Sequence, residues 1–102
     1  MRAYGLIVRH TIKPGHEAEF DRLAAVAADH IRRLEPGTLV YVSHLLAERP
    51  QQRIFYELYR DEAAFAEHER QPHVVSFLAA REAHLDGIEV EFLSAIDGKT
   101  PT

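Results

Sequence analysis

Four short β-rich runs and two helical stretches follow one another in the order β-α-β-β-α-β. That order leaves few architectures open to a short chain. Residues 3–12, AYGLIVRHTI, carry the β-branched and aromatic side chains of a strand, and the Lys13-Pro14-Gly15 turn ends it. Phe20, Leu23, Ala27, Ile31 and Leu34 then recur at helical spacing. Glu17 and Glu19 near the start of that helix, and Arg32 and Arg33 near its end, match the helix dipole. Glu35-Pro36-Gly37 stops the helix, and TLVYVSHLLA resumes as strand.

Glu48–Gln52, with Pro50, reads as a polar connection to a third strand, RIFYELY. Asp61 is a suitable N-cap for EAAFAEHER, and Pro72 restarts a helix whose C-cap is expected at Asp86-Gly87. IEVEFLSAI is the fourth strand. The predicted class is α+β: a ferredoxin-like, four-stranded antiparallel sheet with both helices on one face. One domain is expected over residues 1–96, with a flexible tail over 97–102.

Composition narrows the possibilities. At 102 residues with a net charge of -4, the chain has no bulk attraction for nucleic acid, and its arginines are scattered. It has no cysteine, which excludes disulfides, thiolate nucleophiles and cysteine-bound metals. No stretch approaches membrane-spanning length, and the N-terminus lacks the pattern of a signal peptide, so a cytoplasmic location and no membrane partner are expected. Phosphate-binding glycine loops and serine-nucleophile elbows are missing. Seven histidines are many for this length.

The strands carry apolar residues of both parities. Ile54, Tyr56 and Leu58 oppose Phe55 and Tyr59; Val40 and Val42 oppose Leu39 and Tyr41; Ile88, Val90 and Phe92 oppose Leu93 and Ala95. Helices can cover one face of the sheet, so the other is expected to pack on a second copy of the chain.

A pocket between helices and sheet is expected to hold an apolar, aromatic ligand, with Phe20, Leu23, Phe65 and Phe77 lining it from the helices. His68 follows Phe65 by three positions and shares its helix face. Two roles are open to it: general base or hydrogen-bond donor, or a structural histidine bonded to a carbonyl, Glu69 or Glu57. His68 and His73 are five apart with Pro72 between them, which is no metal-ligand spacing, and no metal is expected. His10 and His44 share the parity of Val8 and Val42, so each faces a core, a pocket or a dimer seam.

Taken in order, IVRHTIKPGHEAEFDRL, EPGTLVYVSHL and FYELYRDEAAFAEHERQPH resemble the antibiotic biosynthesis monooxygenase family. The pieces are a K-P-G turn into the first helix, a P-G turn into the second strand, a Glu in the third strand, an acidic A-a-x-x-H helix and a P-H pair. The resemblance runs from about Val8 to His84. It implies a dimeric α+β barrel, working without metal or organic cofactor, that oxygenates a small aromatic, anthrone or quinol substrate with O₂. Relatives isomerise or merely bind small molecules, so an isomerase or lyase, or a non-catalytic binding dimer, is the alternative.

The resemblance places His68 as the catalytic base and Glu57 as a substrate-side support. Heme-degrading members of the superfamily carry Asn, Trp and His where this chain has Val8, His68 and Leu78, and the chain contains no Trp. Heme degradation is therefore not expected.

Overall fold

The computed structural model describes residues 2–101; Met1 and Thr102, the outermost residues of the expected domain and tail, lie outside them. The elements are β1 (Tyr4–Ile12), α1 (Glu17–Leu34), β2 (Thr38–Leu45), β3 (Gln52–Tyr59), α2 (Glu62–Arg70), α3 (Pro72–Arg81) and β4 (Leu85–Ser94). Neighbouring strands run antiparallel in the order β2-β3-β1-β4. This is the expected ferredoxin-like arrangement: α1 crosses from β1 to β2, α2 and α3 cross from β3 to β4, and β1 and β3 lie side by side at the centre.

Strand register decides which side chains meet the helices. Leu6 stands opposite Glu57, Val8 opposite Phe55 and His10 opposite Arg53, and these residues are buried beneath the helical layer. Helix α1 presents Phe20, Ala24, Ala27 and Ile31 to the sheet, a spacing of three and four that keeps one stripe inward. Phe20, Phe55 and Phe77 meet with ring centroids about 6 Å apart and form the centre of the core. Arg53 reaches from β3 to the Asp21 carboxylate through bonds of 2.9 and 3.0 Å, fixing α1 along the sheet.

Two corners are set by local chemistry. The Asp61 side chain accepts from the Ala64 N–H at 2.8 Å and caps α2, as its sequence position predicts. Gln71 then ends α2 in an extended conformation and precedes Pro72, the first residue of α3. The expected cap at Asp86-Gly87 is not there. Helix α3 stops at Arg81, a single 3₁₀ turn follows over Glu82–His84, and β4 begins at Leu85. Gly87 pairs with Thr11 and Leu85 with Ile12 across a bulge, so the ladder with β1 claims residues whose local pattern favours a turn.

The helices leave two apolar surfaces open. On the helix-free face lie Val42, Tyr56 and Leu93, with Val42 and Leu93 exposed and Tyr56 half-buried. On the helical side, the edge strand β4 turns Val90 and Phe92 inward beside Val8 and Leu6, yet they remain 43% and 59% exposed, although Phe65 from α2 meets Phe92 edge-on at 6.1 Å. No helix is long and apolar enough to cross a membrane, among the described residues.

Candidate active site

The site begins in the loop between α1 and β2. Gly37 is the contact that shapes it: a Cβ there would lie 2.8 Å from the Ala64 Cβ on α2. The bare backbone lets the loop press against α2, and the Arg60 N–H donates to the Gly37 carbonyl at 2.9 Å. The same close approach carries Glu35 inward until it is 8% exposed.

There Glu35 meets two imidazoles. His68 Nδ1 lies 2.7 Å from Oε1, and His73 Nε2 lies 2.5 Å from Oε2. The Thr38 hydroxyl donates to Oε1 at 2.7 Å. A carboxylate has no hydrogen to give, so each imidazole donates to it, His68 from Nδ1 and His73 from Nε2. His68, buried at 5% exposure, thus donates from Nδ1, and its Nε2 makes no hydrogen bond among the described residues.

Nε2 is turned toward Glu57, whose Oε1 is 4.0 Å away, beyond hydrogen-bonding distance. Beside it lies a cavity of about 130 Å³. Tyr41, Phe65, Leu78, Arg81 and Phe92 are among the side chains that wall it, with His68 and Glu57 as its polar inner groups. Tyr59 stacks obliquely on His68 at 5.0 Å and donates its hydroxyl to Glu57 Oε1 at 2.5 Å. Burial pushes the Glu57 carboxyl up from the usual range, against the lowering effects of the Tyr59 hydrogen bond and then His68. Burial likewise pushes the Tyr41 and Tyr59 phenols far up, so both remain neutral hydroxyls.

Arg81 supplies a cation on the wall. One of its Nη atoms lies 3.0 Å from His10 Nε2, and its Nε is buried without a partner, among the described residues. His10, fully buried between Phe20 and Phe55, is lowered to about 3, first by burial and then by the Arg81 charge. It therefore accepts from Arg81 as a neutral ring.

The residues singled out in the sequence divide between three places. His68, Glu57 and Phe65 line one cavity. Phe20 does not reach it; fully buried, it packs in the core behind. Leu23 and Phe77 border a different space, an outer groove between α1 and α3. His44 is exposed on the helix-free face, its Nδ1 3.0 Å from the Ile54 carbonyl oxygen. The sequence reading paired His68 with Glu57, Glu69 or a carbonyl, whereas its bond is to Glu35. In sequence Glu35 marks only the end of the first helix. The one sign available was a carboxylate beside Pro-Gly in a tight loop, where a charged residue has little reason to be buried unless it is partnered.

Val8 and Leu78, which stand where heme-degrading proteins carry Asn and His, also line this cavity. The wall is apolar at these two positions.

Comparison with known proteins places this geometry in a family. The chain superposes on a Pseudomonas aeruginosa protein with 26% identity and a TM-score of 0.84, covering 95% of this chain and 97% of that one. It is similar in fold to a Caulobacter crescentus protein described as a presumptive antibiotic biosynthesis monooxygenase, with 24% identity, a TM-score of 0.89 and coverage of 94% and 92%. A Mycobacterium tuberculosis protein gives 22% identity, a TM-score of 0.88 and coverage of 96% and 99%. No curated protein matches the chain significantly. The family model for antibiotic biosynthesis monooxygenases matches residues 3–80, most of the chain. The chain belongs to the antibiotic biosynthesis monooxygenase family.

Proposed function

We propose that the protein is a cofactor-independent monooxygenase that oxidises a small quinol or related electron-rich phenol with O₂. The observation that carries this reading is the buried His68, held through Nδ1 by Glu35 while Nε2 stays unpaired beside a cavity of mixed apolar and charged lining. A phenol entering the cavity gives its O–H proton to Nε2, and the phenolate is electron-rich enough to pass an electron to O₂. Leu6, Val8, Val74 and Leu78 give the inner part of the wall an apolar surface that limits hydration of the reacting pair. Arg81 on the wall stabilises the developing anion, and Glu57 orients the substrate from the sheet side.

Size refines the substrate class. A cavity of about 130 Å³ is comparable to one that takes a single benzene ring. A one-ring hydroquinone therefore fits the walls as they stand, and a three-ring anthrone requires Phe92 and Val90 to move outward. Both lie on the uncovered part of β4.

The functional unit of this reading is a homodimer formed through the helix-free face, since Val42, Tyr56 and Leu93 gather apolar area that a monomer leaves wet. Oxygen consumption with a panel of hydroquinones and anthrones, without added metal or cofactor, tests the activity. Uptake with at least one is the expected result, with a quinone-level product that carries one added oxygen, the second oxygen leaving as water with two hydrogens and two electrons from the substrate. No uptake with any of them, alongside conversion or tight binding of another small molecule, turns the reading to an isomerase or a binding protein.

A further inference from the structure

We infer that His73 is a positioning residue that balances the charge of His68 across Glu35: when His68 takes a proton from a ligand, His73 releases one to solvent on the opposite side of the helical layer. The inference rests on the proposed role of His68 as base.

One carboxyl group holds both imidazoles, one on each oxygen. The Glu35 side chain is 4% exposed, that of His68 6% and that of His73 9%. In such dry surroundings a lone carboxylate is costly, and a single imidazolium beside it brings the trio to neutrality. Two imidazoliums leave an uncompensated positive charge. One proton shared between two sites is the favoured count.

The two rings open onto different spaces. His68 borders the inner cavity and, on its other side, a space beside the α1–β2 loop, whereas His73 borders the outer groove of about 490 Å³ between α1 and α3. There His30 stacks on His73 at 5.4 Å with the rings 15° from parallel. His73 uses Nε2 for Glu35, and its Nδ1 makes no hydrogen bond among the described residues. The charged and titratable groups facing His68 are Tyr41 from β2, Glu57 and Tyr59 from β3, Arg60 and Asp61 from the β3–α2 corner, Glu67 and Glu69 from α2 and Arg81 from α3. Those facing His73 are His30 and Arg22 from α1, with Glu35 between the two rings. Glu35 itself bonds only His68, His73 and Thr38 among the described side chains.

At rest His73 bears hydrogens on both nitrogens and His68 on Nδ1 alone. The ligand O–H bond breaks and the His68 Nε2–H bond forms, leaving the ligand as an anion. The Nδ1–H bond of His73 then breaks, its proton passing to water in the groove. Glu35 remains a carboxylate throughout, and no electron moves in this step. The base is thereby made ready without a net charge accumulating in the interior, and the released proton does not share the ligand's path.

Titration of the imidazole Cε1–H resonances by NMR over roughly pH 5 to 8 tests the coupling in the unliganded protein. In the unmodified protein each of the two histidines is expected to titrate in two steps, each reporting the other's protonation. In His73→Gln, with His73→Asn as the second variant should the first not fold, the His68 curve becomes a single step. Its midpoint rises by about one pH unit, because Glu35 then serves one cation alone. A single-step His68 curve in the unmodified protein, or a midpoint that His73→Gln leaves in place, overturns the inference. This readout requires no turnover, so it stands or fails independently of whether any quinol is oxidised.

Discussion

Oε1 of Glu35 and Nδ1 of His68 lie 2.7 Å apart although 33 positions separate them in the chain. The bond joins the end of α1 to α2 and fixes which nitrogen of His68 faces the cavity. Glu35→Gln retains an amide of similar shape but removes the charge that steadies an imidazolium. The account predicts that kcat for oxygen uptake falls by about 10- to 100-fold while KM changes little. A steady-state comparison of the two proteins checks this.

Gly37 makes that bond possible by letting its loop sit against Ala64, where a Cβ would lie 2.8 Å from the Ala64 Cβ. Gly37→Ala forces the loop and α2 apart, which overpacking data place at about 1–3 kcal/mol. Urea denaturation is expected to show that loss. Activity should drop alongside it, since Glu35 withdraws from His68. A Gly37→Ala protein of unchanged stability and rate would show that the close approach is unimportant.

Acid should unfold the protein partly through His10. Its folded value is lowered to about 3 from 6.5, whereas the unfolded chain takes up the proton near 6.5. The contribution to stability is therefore complete above about pH 6.5 and is lost as pH falls toward 3. Over that window the loss reaches on the order of 4–5 kcal/mol. Replacing the ring, as in His10→Leu, is expected to lower stability at neutral pH, because Arg81 loses a partner, and to flatten the acid slope. Denaturant midpoints across the window measure both effects.

The helix-free face gives a separate prediction about assembly. Val42 is 44% exposed there, beside Tyr56 on the neighbouring strand. Val42→Lys places a charge in the proposed seam and should convert dimer to monomer at micromolar concentration, as read by light scattering. An unmodified protein that is already monomeric contradicts the proposed dimer.

Much of this fold is legible in the sequence because its signals are local. Apolar spacing marks α1, Asp61 marks the start of α2, and Pro72 marks the break before α3. The mixed parity of the strands also announces apolar residues on both faces. The misread turn at Asp86-Gly87 shows where local signals give way, since pairing with β1 outweighs a turn-forming dipeptide. The site is less legible still. His68 is visible as a histidine on the Phe65 face, but its partner depends on a loop pressed against a helix, and no periodicity records that contact. Phe20 carries the same apolar signal as Phe65, yet one lies in the core and the other at the cavity, a distinction that only packing makes.

The most direct test of the central claim compares oxygen uptake by the unmodified protein and His68→Ala on the best quinol substrate, with folding of the variant verified. Removing the base is expected to cut the rate by about 10²- to 10⁴-fold. Raising the pH toward the substrate's own ionisation should restore much of it, since a phenolate needs no base. Equal rates in the two proteins at neutral pH would contradict the account and remove His68 from the chemistry.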